Sequence, residues 1–136
     1  MDGARSVAPA EAGSRTTLAV FVVAAAVYLA SLDFGARGDA LYYANIIDTS
    51  RFDQLTLHQG YYVAGWMARA IGGLFGATTV VSLTALNALL GAAVLAVGHR
   101  LALRMLGSRR DALLAILMLG VSHRFFANAT TAECYA

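Results

Sequence analysis

Apolar and polar residues are segregated along this chain into long blocks. Thr16 to Leu32 is one apolar block without a charge, and its seventeen residues reach about 25 Å as a helix. Thr78 to Gly98 is a second block, with Asn87 its main polar interruption. Ala112 to Ala129 is a third, clean through Val121 before it meets His123 and Arg124. Runs of this length predict transmembrane helices near 16–32, 78–98 and 112–129. The predicted fold class is therefore all-α: a polytopic membrane protein with three spans. Residues 1–15 are small, polar and aperiodic, which predicts a disordered tail. A cleaved signal peptide is the alternative for the first block, since Arg5 and Arg15 precede it and Ala30-Ser31 offers a small-residue site. The further blocks downstream favour a retained anchor.

Between the first and second blocks lies a polar stretch, Gly38 to Tyr62. It holds Asp39, Asp48, Asp53, His58 and four of the chain's six tyrosines. Gly38 interrupts the chain, and Asp39 is placed to cap a helix running through Ala40–Asp48, which Asp48, Thr49 and Ser50 end. Tyr61 to Phe75 is apolar enough to enter a membrane but short for crossing one. It carries Arg69 centrally and Tyr61, Tyr62 and Trp66 near its start. Aromatic residues favour the headgroup layer, so an interfacial helix is predicted there, giving one or two interfacial helices in the first extracytoplasmic loop.

Charge orients the whole. The stretch from His99 to Asp111 carries Arg100, Arg104, Arg109 and Arg110 against one acid, so it belongs on the cytoplasmic side. Residues 38–77 then lie outside, the N-terminus is cytoplasmic, and the polar stretch shares its side with the closing residues TTAECYA. Composition agrees: 59% of residues are hydrophobic and 13% charged, against about 25% charged in soluble domains. The net charge is only +2 and all ten basic residues are arginines spread along the chain, so no nucleic-acid patch forms. Cys134 is alone and can form no internal disulfide. No metal-ligand spacing, phosphate loop or serine-histidine-aspartate pattern occurs. His99 and His123 fall on opposite sides of the predicted membrane and cannot share a metal.

The polar stretch is where chemistry could sit. Asp39 is either a helix cap or, in a water-poor site beside the headgroups, a general base. Asp33, Asp48 and Asp53 are rivals, or solvated loop acids. His58 is a loop histidine or a donor to a phosphate oxygen, helped by the helix N-terminus just beyond it. Arg69 is a second phosphate contact or a lipid-headgroup partner. Glu133 is the acid of the second outer segment, Asn87 is placed to bond across to another helix, and His123 and Arg124 read as interface anchors.

Four pieces in order resemble the N-terminal part of the GT-C superfamily of polyprenyl-phosphate-sugar-dependent glycosyltransferases. They are Gly38-Asp39-Ala40-Leu41-Tyr42-Tyr43-Ala44, His58-Gln59-Gly60-Tyr61-Tyr62, Leu86-Asn87-Ala88-Leu89 and Ala132-Glu133-Cys134-Tyr135. The nearest likeness is to a bacterial branch related to protein O-mannosyltransferases, and it covers the chain from about residue 17 to the end. The branch's paired prolines after the histidine are absent, with Gln59 in one of their places, and no acid directly follows Asp39. The resemblance implies an integral protein of the bacterial inner (plasma) membrane. Asp39 would match the catalytic base, His58 the donor-phosphate contact, and Glu133 an acid that positions substrate or an ion such as a divalent cation. Its partners would be the lipid bilayer, a lipid-linked sugar donor and a protein or glycan acceptor, with no nucleic acid. Such enzymes run to several hundred residues, so the chain is expected to be an N-terminal fragment, inactive alone. The alternatives are a non-enzymatic membrane subunit, with the polar stretch as a docking surface, and a transporter fragment with Asn87 in its path.

Overall fold

The computed structural model describes residues 9–35, 39–51 and 59–132. Those residues form six helices and no strand: α1 (Pro9–Ala30), α2 (Asp39–Thr49), α3 (Gln59–Gly73), α4 (Thr79–Leu106), α5 (Arg109–Gly120) and α6 (His123–Thr130). Two of them, α1 over Gly13–Ala30 and α4, are long and apolar enough to cross a membrane. The third apolar block is not one straight helix. It divides into α5 and α6, bent by 66° at Val121–Ser122.

Helix boundaries differ from the sequence reading in several places, and residues 9–15, expected to be a disordered tail, are helical. Helix α1 begins at Pro9 rather than Thr16, which suits a proline, since the first helical turn needs no N–H from it. Helix α4 runs on to Leu106 rather than stopping at Gly98. Arg100 and Arg104 do not end it, because charge is no helix breaker. What ends it is Gly107, at φ 64°, whose N–H bonds back to the Leu103 carbonyl. The basic loop therefore shrinks to Gly107-Ser108, and the Ser108 hydroxyl accepts from the Asp111 N–H to start α5.

Helices α1 and α4 make the most extensive contact in the molecule. They are antiparallel: Thr17 meets His99 near one end, and Tyr28 lies beside Gly91 near the other. A Cβ on Gly91 would sit 2.7 Å from Ala129 Cβ, so glycine there lets α6 approach the α4 backbone. Tyr28, 2% exposed, donates to the Gly120 carbonyl at 2.9 Å and turns its ring edge to Phe126. One residue of α1 thus seals the break between α5 and α6. Asn87, fully buried on α4, donates to the Thr131 carbonyl at 2.7 Å, the cross-link expected of it.

The bent pair is tied at both ends of α1. Arg109 at the start of α5 donates to Thr16, and the Asp33 N–H after α1 donates to the Thr130 carbonyl at the end of α6. Large apolar side chains are left outward on the long helices, among them Val23 of α1, Val97 of α4 and Met118 of α5. That exposure is unfavourable in water and suits a lipid environment.

Helix α3 ends in a Schellman turn: the Ala77 N–H bonds to the Gly72 carbonyl, and the N–H of Gly76, at φ 73°, to the Gly73 carbonyl. Gly65 and Gly72 lie about 10 Å apart along α3. They nevertheless press on the adjacent α4 residues Leu83 and Ser82. Helix α3 therefore lies across α4 rather than along it.

Candidate functional site

One end of the bundle gathers α2, α3, the first turns of α4 and the residues after α6 around a common core. Ala40, Tyr43, Ala44, Ile46, Ile47, Tyr62, Leu83 and Ala132 form it, with Tyr61 and Val80 packed against it. The Tyr43 ring stands edge-on to Tyr61 at 5.5 Å and to Tyr62 at 5.3 Å. These aromatic contacts join α2 to the start of α3. Their spacing follows from the sequence: Ala40, Tyr43, Ala44 and Ile47 recur at the helical period and face inward together.

Helices α2 and α3 run parallel. Tyr43 meets Tyr61 and Tyr62, Ile47 meets Gly65, and Asp48 meets Arg69. Asp39 opens α2, next to the buried Ala40, and is therefore level with the start of α3. A carboxylate in the first turn also faces the positive end of the helix dipole. Helix α3 begins at Gln59, the residue that follows His58 in the sequence. His58 and Glu133 themselves lie outside the described residues. The described neighbour of Glu133, Ala132, is 3% exposed in the same core that holds Ala40 and Tyr62.

Asp48 sits at the other end of α2, about 14 Å from Asp39 by helix rise. Its Oδ1 accepts from Arg69 Nε at 2.6 Å and from Thr79 Oγ1 at 2.6 Å. The carboxylate thus links α2, α3 and the first residue of α4. Asp48 and Arg69 are each nearly half exposed, whereas Thr79 is buried. A polar recess of about 440 Å³ opens here, lined by Asp48, Arg69, Gly73, Thr78 and Thr79 among others. Arg69, expected to meet a donor phosphate or a lipid headgroup, has its Nε on Asp48 and lies at the far end of the helix pair from Asp39. Sequence reading did not find Thr79 as a partner. Its signal is the Thr78-Thr79 pair at the head of an apolar run: Thr78 caps α4 by accepting from the Val81 N–H, which turns Thr79 toward Asp48.

At the opposite end, His99 is fully buried. Its Nδ1 lies 3.1 Å from Thr17 Oγ1, and that hydroxyl gives its proton to the Gly13 carbonyl. The histidine must then donate from Nδ1. Its Nε2 is buried with no hydrogen-bond partner. Among the described residues, no group of three His, Cys, Asp or Glu is placed to hold a metal ion. Comparison with protein families, with curated proteins and with solved structures yields no match to this chain.

Proposed function

We propose that this chain is the front part of a membrane glycosyltransferase. It would move a sugar from a polyprenyl-phosphate carrier to an acceptor hydroxyl at the extracytoplasmic face. The observation that carries the reading is convergence. The start of α2 with Asp39, the Tyr61-Tyr62 start of α3 and the Thr131-Ala132 segment after α6 meet in one core at one end of the bundle. These are the stretches the resemblance marks.

The reading takes α1, α4 and the bent α5–α6 pair as three crossings, with the N-terminus cytoplasmic. The bonds from the pair to both ends of α1 support a passage from one side to the other. It takes α3 as interfacial. In support, α3 lies across α4, and Val63, Trp66, Met67 and Ile71 leave an exposed apolar stripe on it at helical spacing.

Asp39 is preferred to Asp48 as the base because it opens the first stretch that the resemblance marks, whereas Asp48 lies outside that stretch and links three helices. Asp39 would take the acceptor proton as the hydroxyl oxygen bonds to the anomeric carbon, while the bond from that carbon to the carrier phosphate breaks. His58 and the positive end of α3 would offset the charge on the departing phosphate, with Glu133 positioning substrate. Arg69 keeps α2 and α3 in register and presents its remaining donors to lipid phosphate.

The test is Asp39→Asn in the complete reading frame, assayed with lipid-linked sugars. Transfer should vanish while the protein still inserts. A cysteine introduced at Thr49 should be labelled from outside the cell and one at Ser108 should not. Normal turnover by Asp39→Asn removes the residue from the role, and reversed labelling overturns the topology.

A further inference from the structure

We propose that the end of the bundle opposite the candidate site selects anionic phospholipid through a collar of five arginines, Arg15, Arg100, Arg104, Arg109 and Arg110. The antiparallel α1–α4 pair brings Arg15 beside the last turns of α4. The Gly107 turn then returns the chain, so α5 starts at the same end, where Arg109 Nη2 holds Thr16 Oγ1 at 2.8 Å. All five arginines are exposed. The same helix ends carry two acids, Glu11 and Asp111, so the collar is net positive.

Depth and surroundings identify the partner. Helix α4 has 28 residues, about 42 Å, whereas the hydrocarbon layer is about 30 Å. Measured from Thr79, the hydrocarbon ends near residue 99, and Arg100 and Arg104 emerge one turn apart into the layer that holds lipid phosphates. Leu101, Met105 and Leu106 are interleaved with them and are 57%, 75% and 52% exposed. A ligand for this surface must carry a phosphate directly beside hydrocarbon. That describes a phospholipid and excludes a nucleic acid or a soluble anion, neither of which would cover the leucines. The net positive charge favours lipids with net negative headgroups over zwitterionic ones. The proposal rests on membrane insertion and is independent of the transferase chemistry.

The test is electron paramagnetic resonance on the full chain reconstituted in phosphatidylcholine vesicles, with spin-labelled phosphatidylglycerol and phosphatidylcholine compared as boundary lipids. The phosphatidylglycerol preference should be about threefold or more at low salt and fall as salt screens it. It should fall by about half or more in the Arg100→Gln/Arg104→Gln variant, which leaves three arginines against two acids. It should persist in Arg100→Lys/Arg104→Lys, which keeps the charge that orients α4, and in Arg69→Gln at the other end. Labelling of a cysteine at Thr49 reads orientation in each case. No preference in the wild-type chain, an unchanged preference in the double glutamine variant, or an equal loss in Arg69→Gln overturns the proposal.

Discussion

Replacing Gly91 by alanine tests whether α6 is docked on α4 as closely as described. The added methyl carbon would lie 2.7 Å from Ala129 Cβ and 3.4 Å from Tyr28 Cε2. Unstrained carbon contacts need about 3.5–4.0 Å, so the two backbones must part by about 1 Å. Neither Ala129 nor a helix backbone can swing aside as a leucine tip could. Overpacking of this kind costs about 1–3 kcal/mol, while alanine in a helix interior returns up to about 1 kcal/mol. The net loss should be about 0–2 kcal/mol. Gly60→Ala, where a Cβ meets nothing within 4 Å, supplies the reference without a clash. Unfolding by sodium dodecyl sulfate in mixed micelles, followed by circular dichroism, should place Gly91→Ala about 1–3 kcal/mol below Gly60→Ala. Ala129→Gly should relieve the clash, giving a favourable coupling of similar size in the double-mutant cycle. Equal stability of the two alanine variants, or no coupling with Ala129→Gly, would refute the packing argument.

Three further outcomes follow from the polar contacts. Tyr28→Phe keeps the ring against Phe126 but deletes the donor to the Gly120 carbonyl, so the same unfolding assay should show a loss of about 1–2 kcal/mol. A double-mutant cycle on Asp48 and Arg69 should give a coupling under about 1 kcal/mol that weakens with salt, because both side chains are nearly half exposed. The coupling of Asp48 with the buried Thr79 should withstand salt better, since burial limits screening.

Much of the architecture was legible in the hydropathy blocks, and the reasons for the misses are physical. Helix α2 is read nearly to the residue because Asp39 opens it and the Asp48-Thr49-Ser50 group closes it. The end of α4 is misread because charged residues stop an apolar run without stopping a helix, and Gly107 is the true terminator. The break in the third block carries only a faint sign, Gly120 followed by Ser122, with no proline to announce it. At the candidate site, Asp39 could be singled out from its place after the first block. The Asp48–Arg69–Thr79 bridge could not, because it depends on the parallel register of α2 and α3 and on how α3 lies across α4. Nothing in one strand of text sets those two relations, and Arg69 alone looks like a cation awaiting a phosphate.

The bend between α5 and α6 bears on the lipid as well as on the protein. Helix α5 rises about 18 Å, and α6, turned by 66°, adds roughly 5 Å along the same direction. Taken as the third crossing of the proposed function, the pair would be some 7 Å shorter than an average hydrocarbon layer, a mismatch that a bilayer meets by thinning beside it. The dimple would form on the side where α6 hands the chain to Thr131 and Ala132. Anything carried on a lipid headgroup would there be lowered toward the start of α2, and delivery would depend on membrane thickness as much as on any side chain.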